Sequence, residues 1–111
     1  MKIIIIFAML INANVLYAKS FVLEGRVKSE KVNKNEYYDA IVLNKEKNIY
    51  LSDDDVTYNN VKKIQLNYTD KKFNINYKKT AKIQCLDLYS ADSMFHYTKL
   101  ICIVDKISYI K

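Results

Sequence analysis

Proline is absent from this 111-residue chain, tryptophan is absent too, and glycine occurs once, at Gly25. With the usual breakers missing, turns fall to Asn, Asp, Ser and Lys, the first three of which hydrogen-bond local backbone. Histidine is almost as scarce, with His96 alone, and there are two cysteines, Cys85 and Cys102. A protein metal site needs three or four convergent His, Cys or carboxylate ligands. No such spacing occurs, so no metal or other cofactor is expected. The run Asp53-Asp54-Asp55 lacks the glycine and distal glutamate of a calcium-binding loop and reads as a solvated turn. No repeat, linker or low-complexity tail divides the chain, which points to one domain.

The N-terminus carries the one long apolar run. Met1-Lys2 precede Ile3-Ile4-Ile5-Ile6-Phe7-Ala8-Met9-Leu10-Ile11, and Asn12 and Asn14 end it before the roughly 20 residues a membrane span needs. A basic start, a short apolar stretch and a small residue at Ala18 form the pattern of a signal peptide over residues 1–18. The alternatives are an uncleaved anchor or a buried first strand. No cysteine follows the run, so lipid attachment is not indicated. Cleavage leaves residues 19–111 as the domain, destined for the periplasm or secretion, with the formal charge of +6 falling by one through loss of Lys2.

The domain alternates as strands do. Phe21, Leu23, Gly25 and Val27 share one face of a strand over residues 21–28, and a mid-strand glycine marks a bulge, a sharp bend or a close backbone approach. Residues 29–36 read as an exposed turn or loop, 37–43 as a second strand, 44–48 as a turn and 49–51 as a short third strand. Between 55 and 65 the pattern is mixed. Val61 and Ile64 have helical spacing, whereas Ile64, Leu66 and Tyr68 alternate, so a helical turn over 59–63 feeding a strand over 63–68 is expected.

The last two strands, residues 83–89 and 100–104, form a hairpin with its turn near Ser93 and Met94. That register sets Cys85 opposite Cys102, within reach of a disulfide. An exported chain oxidises such a pair, while in a reducing compartment both would serve as small core residues. The expectation is therefore all-β: a small five-stranded OB-like barrel with one short helical insertion, or else an open sandwich.

The order of Ile41-Val42-Leu43, Asn48-Ile49-Tyr50-Leu51, Val61-Lys62-Lys63-Ile64-Gln65-Leu66, Tyr77, Lys82-Ile83, Leu88, Ala91 and His96-Tyr97-Thr98-Lys99-Leu100-Ile101 resembles a bacterial family of small exported domains of unknown function. In that family the tail runs Gly-Lys-x-Val-x-Val-x-Gly-x-Leu before a His-His-x-Thr-x-Val-Leu stretch. Here Ala81 and Cys85 stand for its glycines, Asn48 for a proline, and His96 alone for its histidine cluster. The resemblance implies the barrel and export and brings no activity.

Catalysis is not expected. His96 has only Asp87 and Asp92 as nearby carboxylates, and a Cys–His dyad would draw on thiols set in apolar runs that keep them neutral. Binding remains. Lys62, Lys63, Lys71, Lys72, Lys78, Lys79 and Lys82 interleave with Tyr68, Phe73 and Tyr77, as on barrels that hold single strands of nucleic acid. An exported protein rarely meets nucleic acid, so the partner expected is a protein or an anionic envelope ligand. A merely solvated basic face is the alternative. Contact is assigned to Phe95, His96, Tyr97, Lys78, Lys79 and Lys82. Two other readings stay open: an immunity or inhibitor protein that blocks a toxin or hydrolase with loop side chains near residues 53–60, and a ring-forming binding subunit of a secreted toxin.

Overall fold

Alternation of inward apolar and outward polar residues organises most of the described residues into β-structure. The computed structural model describes residues 21–90 and 98–110. The signal-peptide segment, the Ser93-Met94 turn and the contact candidates Phe95, His96 and Tyr97 lie outside the described residues. Five strands are present: β1 (Phe21–Asn33), β2 (Glu36–Leu51), β3 (Val56–Asn67), β4 (Thr80–Ser90) and β5 (Leu100–Tyr109). They form one sheet in the order β1-β2-β3-β5-β4 that closes on itself into a barrel, because β1 pairs with both β2 and β4. All pairs are antiparallel except β3 with β5, which run parallel over Gln65–Asn67 and Ile101–Ile103.

The interior is apolar throughout. Leu23 and Val27 from β1, Ile41 and Leu43 from β2, Ile64 and Leu66 from β3, Ala81 and Ile83 from β4, and Leu100 and Val104 from β5 meet in one buried cluster. Spacing by two puts each set on one face of its strand. No polar or charged side chain is buried among the described residues, so burial of hydrocarbon carries the cohesion.

Gly25 sits where closure is tightest, opposite Leu43 of β2 on one side and Ala81 of β4 on the other. A Cβ placed there would lie 2.1 Å from the Val42 carbonyl oxygen and 2.8 Å from the Leu43 Cα. Of the three roles open to a mid-strand glycine, the structure selects close backbone approach.

Four expectations are corrected. Residues 29–36 are not a loop, since β1 and β2 stay paired to Asn33 and Glu36 around a two-residue turn in which Asn33 Oδ1 accepts the Asn35 N–H at 3.0 Å. This ribbon is exposed over most of its length, so its polar sequence carries no alternation to read. Residues 44–48 are likewise not a turn between two strands. They belong to β2, as an exposed stretch where pairing with β3 shifts register between Val42 and Lys47 and again before Ile49.

The helical insertion at 59–63 is absent, and β3 runs straight through it. Two adjacent exposed lysines, Lys62 and Lys63, separate the buried Val61 and Ile64, and this irregular spacing of three imitates a helical face. Asn60 takes a left-handed backbone, φ 56°, with its N–H donated to Asn48 Oδ1 at 2.9 Å. Asparagine is among the residues that adopt that conformation most readily.

The cysteines are not direct cross-strand partners. Cys85 faces Val104 and Leu88 faces Cys102, because the register slips around Leu86, an extra residue turned outward and 65% exposed. The slip acts as a β-bulge. It leaves both sulfurs in the core on a diagonal, with Cα atoms 5.4 Å apart and the disulfide formed.

Two outcomes follow for stability. Gly25→Ala forces β1 away from β2 and is expected to cost on the order of 2 kcal/mol or more, as overpacking does, seen as a fall of roughly 10 °C in the thermal midpoint by circular dichroism. A midpoint within 2 °C of the parent contradicts the close approach. Replacing both cysteines by serine opens a loop closed across a sequence separation of 17, and denaturant titration is expected to show a loss of roughly 3 kcal/mol.

Candidate binding face

The antiparallel order gives the barrel two unlike ends. One carries the β2–β3 turn, the start of β1 and the end of β4. The other carries the β1–β2 turn, the end of β5 and the connection over residues 68–79.

That connection packs Phe73 and Ile75 against the core. Asp39 anchors it: the Tyr68 hydroxyl donates to Asp39 Oδ2, and the Tyr77 hydroxyl donates to the same oxygen at 3.1 Å. Tyr109 holds the next turn, accepting the Asn76 N–H at 2.7 Å and donating to the Asn74 carbonyl at 3.1 Å. Lys71 pairs with Asp105 at 3.0 Å. Burial, and then the bond to Asp39, push the Tyr68 phenol far above its ordinary range, and burial followed by the Asp39 charge raises Tyr77 as well.

Lys78 and Lys79 are exposed at this end, where the Lys78 N–H is donated to Asn76 Oδ1 at 3.0 Å. Lys82 projects from β4 between Glu24 and Ser108 and, with Val22, Phe73 and Lys106, lines a shallow depression on the outer wall. The flanks of the 95–97 segment, Ser90 and Thr98, belong to the opposite end. The structure therefore does not bring the lysine trio together with the flanks of the other three contact candidates.

The opposite end is acidic. A cleft of about 400 Å³ is lined by Phe21, Tyr50, Leu51, Asp53, Asp54 and Tyr89, among others. The aspartates of the β2–β3 turn beside it are exposed, and two of them brace that turn: Asp55 accepts the Tyr50 hydroxyl at 2.8 Å and Asp54 accepts the Ser90 hydroxyl at 3.2 Å. The Asp55 carboxylate raises the Tyr50 phenol. No group of three or more His, Cys, Asp or Glu suited to a metal ion occurs among the described residues. Both cysteines are consumed in the disulfide, so neither offers a thiolate.

A third feature lies along β3. Its lower part pairs with β5 over three residues only, and above Gln65 the edge facing away from β2 has no strand partner among the described residues. A groove of about 640 Å³ follows that edge, walled by residues 56–63 on one side and by Thr98 and Lys99 on the other. Lys62, Lys63 and Lys99 make it basic, and Val56 and Tyr58 give it apolar surface. Lys63 bonds Glu30 at 2.9 Å, and this contact raises its pKa and keeps it charged. Lys62 has no ion-pair partner among the described residues. The lysine-rich pattern pointed to Lys62 and Lys63 as part of a basic surface, but their place beside a free edge depends on the β3 irregularity that the sequence disguised as a helical turn.

Comparison with protein-family models, with curated proteins and with solved structures returns no match. The site is therefore read from its own chemistry.

The Tyr68–Asp39 contact makes a pH prediction. A phenol whose folded pKa lies above its ordinary value of 10.0 contributes stability that is complete below about pH 10 and is lost as the unfolded chain ionises above it. The thermal midpoint is expected to hold to about pH 10 and then fall, with a shallower fall for Tyr68→Phe. Parallel alkaline limbs in the two proteins would remove Tyr68 as the cause.

Proposed function

We propose that this chain is an exported, OB-like barrel that serves as a non-catalytic binding module for an anionic partner, a protein or an envelope component. The observation that carries the reading is the basic groove beside β3, lined by Lys62 and Lys99, with Lys63 held to Glu30 at its lower end. Five strands closed in the order β1-β2-β3-β5-β4 support the OB-like reading, in which recognition uses the face of the second and third strands. Export is supported by the signal-like residues 1–18 and by the disulfide, which belongs to oxidising compartments. Among the described residues no helix is long and apolar enough to cross a membrane.

Within this reading the contact assignment moves from Lys78, Lys79 and Lys82 toward the β3 groove. Charge alone steers an acidic partner to either place; the groove adds walls and apolar contact. The acidic cleft favours one second reading. Its aromatic floor and the rim formed by Asp53 and Asp54 suit an inhibitor that inserts this end into the basic active site of a toxin or hydrolase.

The test is binding to two anionic probes, poly-L-glutamate and vesicles rich in phosphatidylglycerol. The Lys62→Glu/Lys99→Glu double variant is expected to lose at least tenfold in affinity, whereas Lys78→Glu/Lys79→Glu/Lys82→Glu stays within twofold. The opposite ranking returns the site to the basic end, and no binding of either probe by the parent protein removes the anionic-partner reading.

A further inference from the structure

We infer that the free edge of β3 takes an extended acidic segment of a partner protein as an added antiparallel strand. The inference rests on the groove reading above and states what enters the groove and how it is held.

Each strand edge carries a row of N–H donors and C=O acceptors that need partners. Along residues 65–67 β5 supplies them. Along residues 56–63 β2 pairs with Val56, Thr57, Tyr58, Val61 and Lys63 on the inner edge, and Asn48 Oδ1 accepts the Asn60 N–H, while the outer edge meets no strand among the described residues. The groove beside it extends over eight consecutive residues of β3 and is bounded on the far side by Thr98 and Lys99. That is the footprint of one extended segment. Main-chain bonds would hold it, and alternate side chains would fall on opposite faces.

Charge selects the occupant. A bare edge most readily recruits another copy of itself, and lysines at an edge are a common device against that outcome. Lys62, Lys63 and Lys99 line this groove on a chain whose formal charge of +6 falls by only one on loss of Lys2, so a second copy is repelled. A segment carrying carboxylates sets some of them against the ammonium groups of Lys62 and Lys99, the two of these lysines with no ion-pair partner among the described residues. Val56, 41% exposed, and the half-buried Tyr58 offer apolar contact at the upper end of the groove.

The test uses the full exported chain and a blocked nine-residue peptide alternating glutamate with valine. Its controls are the same peptide with lysine for glutamate, and the glutamate peptide N-methylated at every second backbone nitrogen. Affinity is measured by titration, and amide hydrogen exchange over residues 56–63 by NMR. The glutamate peptide is expected to bind at least tenfold more tightly than either control, to slow exchange at alternate amides of residues 56–63 at least tenfold, and to lose tenfold against Lys62→Glu/Lys99→Glu. Equal binding of the glutamate peptide and its N-methylated form, without slowed exchange, overturns strand addition and leaves the anionic groove standing. Outer-edge amides already protected in the free protein overturn it too, because the chain then occupies its own edge. Failure of the glutamate peptide while poly-L-glutamate still binds overturns the inference alone; failure of every anionic probe overturns the groove with it.

Discussion

Closure of the sheet depends on one spot where two backbones come closer than a side chain allows. β1 gives its first six residues to β4 and its residues from Gly25 onward to β2, so Gly25 and Arg26 are paired on both sides at that change of neighbour, and Gly25 is the one of the two without a side chain. A barrel forces strands to coil and tilt, and small residues are where that curvature is accommodated. In a chain with no other glycine, the single permissive position stands where β1 passes between β2 and β4 and the β2 backbone approaches too closely for a Cβ. Everything inside follows, because once the ring closes, every second residue of five strands faces a common interior.

The disulfide acts on the same ring through β4, the other neighbour of β1, where Cys85 lies opposite Phe21. The Cys85–Cys102 link ties β4 to β5 within the core. Leu86 makes the diagonal link possible. As a bulge residue it delays β4 by one position, so that Cys85 and Leu88 both face inward although they are three positions apart. The exposed leucine therefore has a structural reason, which also weakens any case for treating it as a contact residue.

Much of the fold was legible because period two is a strong signal wherever one face is buried. Leu23-x-Gly25-x-Val27 and Ala81-x-Ile83-x-Cys85 announce themselves, and the cysteine pair follows from compartment. The misses share a cause. Residues 29–36 and 44–48 belong to strands largely exposed on both faces, where no burial pattern exists to read, and the helical spacing of Val61 and Ile64 comes from an irregular strand. Such irregularities add or skip a residue and so shift the period locally toward three. At the candidate site the lysines were visible as a basic surface. Their distribution between a barrel end and a strand edge was not, since it depends on which residues the register places side by side.

Charge and backbone at β3 explain each other better together than apart. Lysine is a poor choice for a strand interior on propensity alone, yet Lys62 and Lys63 sit mid-strand, one held to Glu30 and the other without an ion-pair partner among the described residues. If the edge were covered by another strand of the barrel, these charges would serve only to solvate the outer wall. Because the short β5 contact ends at Gln65, Lys62 instead lies beside an edge with no strand partner among the described residues. A charge in that place can both discourage like-charged copies and welcome an acidic strand. That double role is available where a barrel closes through a three-residue contact and the outer edge of the rest of that strand has no strand partner among the described residues.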